Sequence, residues 1–211
     1  MTARRLSLRI VATAIALVLW FGTQALIGKR ALPASGVGDG LHLATAPFNR
    51  YLHQHPGAAD ALLIASSAIV DLLALFLLGE WIFGSSVRPL LGLVILIGLR
   101  QVMQALVSLP TPPDMIWHDP GFPSLLVTYG VAGDYFFSGH TAVAVFGATE
   151  LARLGRRWLT ALAVLVVLFE VGTVLVLRAH YTMDVFTGLV AALWVAGLAG
   201  RWAPALDHRL G

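Results

Sequence analysis

The stretch Gly133–Thr141 reads GDYFFSGHT and forms a polar motif directly before an apolar run. A second polar motif, His180–Asp184, reads HYTMD and stands before another apolar run. Ionisable side chains at membrane depth are costly, so they are candidate functional residues. Two motifs of this kind, each at the entrance of a predicted span, indicate a catalytic site in a membrane protein.

The composition places most of the chain in a lipid bilayer. Of 211 residues, 58% are hydrophobic and only 12% are charged, whereas about a quarter of a soluble domain is charged. We therefore expect one integral-membrane domain that covers residues 1–211. The absence of cysteine excludes disulfides and thiolate catalysis. The basic residues form no stripe with interleaved aromatics, so nucleic-acid binding is not expected.

The apolar runs predict an all-α, polytopic membrane protein with six transmembrane helices, since a span needs about 20 mostly apolar residues. The fourth run reaches spanning length only if Tyr135–His140 belongs to its first turns. Ahead of the second span, Leu41–His55 is either a short interfacial helix or an irregular loop. The predicted spans are Leu8–Ile27, Ala61–Phe83, Leu90–Leu109, Thr141–Leu154, Leu159–Leu177 and Val185–Trp202.

The arginines indicate how the chain is oriented. Under the positive-inside rule, the face that carries most of them is cytoplasmic, and both termini belong to that face. His140 and His180 then share the outer face, and parity keeps them together whichever way the chain inserts. Lys29 is the only lysine, and with the abundance of Ala, Gly, Leu and Val this composition indicates a GC-rich bacterial source. We therefore expect a bacterial inner-membrane protein with a periplasmic active site. The arginines of the cytoplasmic face are Arg4, Arg5, Arg9, Arg88, Arg153, Arg156, Arg157, Arg201 and Arg209.

The histidines and one aspartate are the predicted catalytic residues. His180 and Asp184 are four residues apart, which brings them within reach on one helix face. A carboxylate bonded to one ring nitrogen fixes the tautomer and stabilises the imidazolium, and the other nitrogen can attack a phosphoryl group. His140 is the expected general acid. A zinc site made of the same three side chains is a minor alternative.

The residues around His140 are predicted to contact the substrate. Ser138, Gly139 and Thr141 stand where a helix begins, and the N–H groups of a helix start bind anions. Glycine in addition allows close approach of the backbone. Asp134 either caps this helix or contacts the acceptor hydroxyl, and the sequence does not separate the two roles.

Two arginines are candidates for phosphate binding. Arg178 lies two residues before His180, which favours a direct contact with the phosphate. Arg100 lies inside the third span. It either pairs with Glu170 or Asp71, as intramembrane charges usually do, or it binds phosphate itself.

The two motifs resemble the catalytic core of the type 2 phosphatidic acid phosphatase (PAP2) superfamily. Their longer forms are similar to its sphingomyelin synthase-like branch, as is Arg100 followed by LPTP at positions 109–112. The resemblance implies a PAP2-like catalytic core at about residues 100–190 that transfers a phospho-headgroup between lipids. It also implies His180 as nucleophile, Asp184 as its orienting carboxylate and His140 as acid and base, with no cofactor or metal.

Departures from the phosphatase branch favour the synthase-like branch. The phosphatase motif Lys-x6-Arg-Pro has Trp81 at the lysine position here, and Thr173 and Val174 stand where that branch has Ser-Arg. The Pro-Leu-Pro-Asp motif of eukaryotic synthases is also missing, which leaves substrate identity open.

Three hypotheses remain after the sequence. The first is a lipid phosphotransferase that takes a phospholipid donor and a lipid acceptor of the ceramide or diacylglycerol type. The second uses water as acceptor, as a lipid phosphatase or a phospholipase C-like hydrolase does. The third is a non-catalytic lipid-binding or transport protein. The oligomeric state and acyl-chain preference stay unknown.

Overall fold

The computed structural model describes residues 36–127, 129 and 135–210, together with positions 11, 14–15, 18 and 21–22 ahead of them. The chain forms two compact units, Met1–Gly38 and Asp39–Gly211. In the first unit the described positions between 11 and 22 are helical. The rest of the predicted span Leu8–Ile27 and the candidate residue Asp134 lie outside the described residues.

In the described residues of the second unit all regular secondary structure is helical, which confirms the all-α part of the predicted fold. The stretch Leu41–His55 forms two short helices rather than an irregular loop. The helices are α1 (Gly40–Ala44), α2 (Ala46–Gln54), α3 (Pro56–Phe83), α4 (Arg88–Leu106), α5 (Gly139–Arg153), α6 (Arg157–Val176) and α7 (Thr182–Leu210).

Four of these helices, α3, α4, α6 and α7, are long and apolar enough to cross a membrane. They correspond to the second, third, fifth and sixth predicted spans. Helix α5 differs, because its 15 residues extend only about 22 Å at 1.5 Å per residue. The described part of the chain therefore contains four candidate spans, and α5 is too short to be a fifth by the same measure.

The expected extension of α5 through Tyr135–His140 is wrong, because the helix begins at Gly139. The Ser138 Oγ caps it by accepting a hydrogen bond from the Thr141 N–H at 3.3 Å. The Ser138 N–H donates to the Asp184 carbonyl of α7 at 3.1 Å. A cap of this kind satisfies a free N–H group at the start of the helix, and residues 135–138 lead into α5 as non-helical chain.

Helix α5 lies at the centre of the bundle and packs against α3, α4, α6 and α7. Its residues from His140 to Gly147 are buried. Close packing around it depends on glycine: a Cβ at Gly188 of α7 would lie 2.7 Å from the Ser138 carbonyl oxygen, and one at Gly92 of α4 would overlap the Phe146 ring. The short helix thus fills the core and carries His140 into it.

The connection between α4 and α5 is held against the bundle by Asp71 of α3. The Asp71 carboxylate accepts hydrogen bonds from the N–H groups of Leu125 at 2.9 Å and Leu126 at 3.0 Å. Non-helical backbone is tolerated within a membrane bundle where protein buries it or where it lines a cavity. Asp71 is therefore a structural anchor for this connection.

The carboxylates that were candidate partners of Arg100 both have other partners. Asp71 binds the α4–α5 connection, and Glu170 of α6 accepts a hydrogen bond from the Ser66 hydroxyl of α3 at 2.6 Å. Arg100 donates its Nε–H to the Phe137 carbonyl at 3.0 Å. Both carboxylates thus have structural partners in the bundle, and phosphate binding by Arg100 stays a prediction.

We expect Asp71→Asn to lower the free energy of unfolding by about 1–3 kcal/mol, because an amide NH₂ would face one of the part-buried N–H groups that the carboxylate now binds and leave it unpaired. The measurement is thermal unfolding of the purified protein in detergent. Asp60→Asn, at an exposed carboxylate of the same helix paired with His118, is the matched control and should change little. Equal melting temperatures for both variants would contradict the anchoring role.

Candidate active site

A cavity of about 290 Å³ brings the two sequence motifs together. Its wall is formed by α3, α4, α5, the α4–α5 connection and the turn at residues 177–181. Arg100, Gly139, His140 and His180 all line it. The structure therefore places both histidines and one of the candidate arginines around a single volume.

The tautomer of His180 follows from its main-chain partner. His180 lies in the turn before α7, and its Nδ1 is 2.8 Å from the Tyr135 carbonyl oxygen. A carbonyl oxygen only accepts hydrogen bonds, so Nδ1 carries the proton. In the neutral imidazole, Nε2 then holds a lone pair, which is the state that a nucleophilic histidine needs.

Asp184 lies close to His180 but makes no hydrogen bond with it. Its Oδ2 is 3.8 Å from His180 Nδ1 and accepts a hydrogen bond from the Tyr181 N–H at 2.9 Å. The expected direct bond on one helix face is absent because His180 precedes the first helical residue, Thr182. The fully buried carboxylate remains near enough to stabilise a positive charge on the imidazole.

His140 is the second residue of α5 and is 92% buried, with 8% of its surface exposed. Its Nε2 makes no hydrogen bond with any described residue. The Trp117 ring contacts the imidazole edge to face, with ring centroids 5.3 Å apart. A buried ring nitrogen without a protein partner, on a side chain that lines the cavity, is available to a ligand.

Arg100 supplies positive charge to the same cavity. Its Nε–H donates to the Phe137 carbonyl, and its guanidinium passes over Gly139. A Cβ at position 139 would lie 3.1 Å from the Arg100 Nε. The close approach expected of Gly139 is thus made by an arginine side chain of α4.

The Ser138 and Thr141 side chains are hydrogen-bonded to each other, and neither is among the described residues that line the cavity. The Ser138 hydroxyl donates to Thr141 Oγ1 at 3.0 Å, and both side chains are fully buried. The N–H groups of Thr141 and Ala142 both donate to Ser138. The Ala142 bond is the first one within the helix, so the Thr141 N–H is one helix-start donor that is already occupied.

Arg178 also lies off the lining of the described cavity. Its guanidinium forms an ion pair with Asp114 at 2.7 Å and donates to the Pro113 carbonyl at 3.0 Å. It thereby joins the turn that carries His180 to the α4–α5 connection. In the structure Arg178 has protein partners, and its contact with the phosphate stays a prediction.

Sequence reasoning missed two contributors to the site. The Tyr135 carbonyl fixes His180, but every residue type has a carbonyl, so no sequence signal points to it. Trp117 packs on His140 from the α4–α5 connection, where one aromatic residue in a long loop is not diagnostic. Among the described residues, no group of three His, Asp or Glu side chains is placed to hold a metal ion.

These features define an integral membrane protein with a histidine-lined cavity enclosed by apolar helices. The chain belongs to the AtPDCT1/2 family, whose model matches residues 38–201. That range contains all the described residues of the cavity. No solved structure matches the chain.

A curated relative is phosphatidylcholine:diacylglycerol cholinephosphotransferase 1 of Arabidopsis thaliana. The two chains are 23% identical over 167 residues, which is 79% of this chain and 54% of the relative. The chain therefore spans about half the length of the curated relative that it matches.

Proposed function

We propose that this protein is a membrane lipid phosphotransferase that moves cholinephosphate from a phospholipid to a lipid hydroxyl of the diacylglycerol type. The observation that carries the proposal is the shared cavity of His140, His180 and Arg100. The name of the Arabidopsis relative supplies the class of donor and acceptor. Membership of the AtPDCT1/2 family supports the same class of reaction.

In the first step, His180 Nε2 attacks the donor phosphorus. An N–P bond forms, the P–O bond to the departing diacylglycerol breaks, and its oxygen takes a proton from the His140 imidazolium. The phosphohistidine ring keeps its proton on Nδ1, which donates a hydrogen bond to the Tyr135 carbonyl oxygen. The Asp184 carboxylate, 3.8 Å away, offsets the positive charge of the ring.

In the second step, the acceptor lipid takes the phospho-headgroup. Its hydroxyl gives a proton to neutral His140, its oxygen forms a P–O bond, and the N–P bond to His180 breaks. Both histidines return to their starting states, so each turnover exchanges one diacylglycerol for another. Arg100 stabilises the negative phosphoryl oxygens in both steps.

The membrane arrangement of this enzyme is part of the proposal. The catalytic core at about residues 100–190 is PAP2-like. The protein has six membrane-spanning helices if Leu8–Ile27 and α5 cross the membrane in addition to the four candidate spans. The arginine distribution then puts both termini in the cytoplasm and the cavity on the outer face.

Transfer is tested by reconstituting the protein in vesicles with headgroup-labelled phosphatidylcholine and a diacylglycerol of distinguishable acyl chains. We expect the label to appear on phosphatidylcholine that carries the acyl chains of the added diacylglycerol. Vesicles without acceptor are the control, and ceramide is offered separately. Cholinephosphate released into water would make the protein a hydrolase, and no turnover of the donor would reject the proposal.

We expect Gly139→Ala to lower turnover about threefold, since a 1 Å misplacement of a catalytic group can cost about 10²-fold and the shift required here is smaller. The added Cβ would lie 3.1 Å from the Arg100 Nε and would push it slightly away from its place beside the Phe137 carbonyl. The same vesicle assay measures the loss. Gly197→Ala, in α7 with open space around its Cβ, is the matched control. Full activity of Gly139→Ala would show that the Arg100 position does not matter.

A further inference from the structure

The turn that carries His180 is short, non-helical and held by many contacts. It consists of residues 177–181 between α6 and α7, and we refer to it as the His180 turn. Buried main-chain groups outside a helix need partners from elsewhere in the fold. One of these partners, which binds the His180 carbonyl, comes from the segment that begins at Asp39, far away in sequence and outside both catalytic motifs.

Asp39 binds the start of two helices with one carboxylate. It caps α1 by accepting from the N–H groups of Leu41 at 2.9 Å and His42 at 3.1 Å. It also accepts from the N–H and the hydroxyl of Thr182, the first residue of α7, each at 2.6 Å. The residue after the His180 turn is thereby fixed to α1.

The charge state of Asp39 suits this role. Burial by itself raises the pKa of the carboxyl, but the hydrogen bonds from Thr182 and from the His42 N–H outweigh burial, and the pKa lies below its ordinary value. The carboxylate is therefore ionised at neutral pH, and its oxygens act only as acceptors.

His42 holds the main chain of the proposed nucleophile itself. Its Nε2 is 2.9 Å from the His180 carbonyl oxygen, and since a carbonyl only accepts, Nε2 carries the proton and donates it. The imidazole is buried and stacks on the Tyr181 ring, with centroids 5.6 Å apart and 24° between the planes. The His42 carbonyl in turn accepts from Arg178 Nη2 at 3.4 Å.

We propose that His42 and Asp39 are positioning residues for phosphoryl transfer, which fix the His180 turn so that the nucleophilic imidazole faces the cavity. The inference rests on the proposed function. Tyr135 restrains the side chain of His180 through Nδ1, while His42 restrains its carbonyl. Fixing a reacting group at two points preserves the geometry on which the rate of the chemical step depends.

Two substitutions at position 42 separate the hydrogen bond from the packing. His42→Phe keeps an aromatic ring against Tyr181 and removes the donor. His42→Gln removes the ring, but its amide nitrogen restores a donor at the place of Nε2. We expect kcat to fall at least about tenfold in His42→Phe with KM unchanged, and to stay within about threefold of the wild type in His42→Gln.

A second readout does not depend on lipid turnover. Diethylpyrocarbonate modifies unprotonated imidazole nitrogens, and peptide mass spectrometry gives the rate at each histidine separately. A fixed His180 turn reacts slowly because His180 is only 6% exposed. We expect His180 labelling to rise at least about threefold in His42→Phe and to match the wild type in His42→Gln. The exposed His208 is the internal reference.

The outcomes are distinct. The positioning role would be overturned if kcat fell equally in His42→Phe and His42→Gln, or did not fall in His42→Phe. It would also be overturned if His180 were labelled at the same rate in the wild type and both variants. A wild-type protein that transfers no headgroup would reject the proposed function alone. In that case the labelling rates still decide whether His42 holds the His180 turn.

Discussion

His180→Asn is expected to reduce the rate of headgroup transfer by at least about 10⁴-fold. Losses of this size, about 10⁴-fold or more, are typical when the nucleophile is removed from a set of catalytic residues that act together. The asparagine amide can still donate to the Tyr135 carbonyl from the place of Nδ1, 2.8 Å away in the wild type. It offers no atom at Nε2, so the N–P bond cannot form. The vesicle transfer assay measures the loss, and thermal unfolding checks that the fold is retained.

The matched control is His208→Asn, which makes the same substitution at an exposed position in the last turns of α7 and should leave transfer unchanged. Rapid quenching during turnover should also yield a cholinephosphate adduct on the peptide that contains His180, and none in His180→Asn. Transfer that persists in His180→Asn would remove the phosphohistidine from the mechanism.

The sequence predicted correctly those features that depend on residue type and spacing. The long apolar runs became α3, α4, α6 and α7, with most bounds close to those expected, although α7 continues past Trp202 to Leu210. His140 and His180 line one cavity, as their predicted proximity requires. The even number of crossings that placed them on one membrane face needs α5 to cross the membrane and stays a prediction. A resemblance on the same motifs agreed with the family to which the chain belongs.

The parts that the sequence did not predict depend on main-chain atoms and on local helix ends. His180 is bound by the carbonyl of Tyr135, an atom that every residue has. Helix α5 begins at Gly139 because Ser138 caps it and is tied to α7, which tertiary contacts decide and hydrophobicity does not. The position of His180 just before α7 likewise breaks the four-residue spacing that predicted a bond to Asp184.

Arg178 and Arg100 show that the partners of a buried charge do not follow from its neighbours in sequence. Arg178 is adjacent to the nucleophile along the chain, yet Asp114, from a loop more than sixty residues earlier, pairs with it. Arg100 is forty residues before His140 and still lines its cavity. Proximity in space follows the packing of α4 on α5, which span prediction does not resolve.

The second large effect is expected at His140, where the loss should depend on the leaving group. Replacing a general acid and base costs about 10²–10⁴ in rate, and we expect His140→Gln to lose transfer between natural lipids on that scale. The loss should come from both steps, because the diacylglycerol oxygen needs a proton to leave and the acceptor hydroxyl must give one up. His118→Gln, at an exposed histidine paired with Asp60, is the matched control.

A donor with a weakly basic leaving group separates the two steps. Nitrophenyl phosphocholine releases nitrophenolate without a proton, so His140→Gln should still form the adduct on His180 at close to the wild-type rate. The second step still requires a base for the acceptor hydroxyl, so the adduct should accumulate in the variant and turn over in the wild type. The burst of nitrophenolate and the mass of the His180 peptide measure the two steps. If His140→Gln lost the burst as well, His140 would serve to hold the substrate or the fold, and the proton would have to reach the departing oxygen by another route.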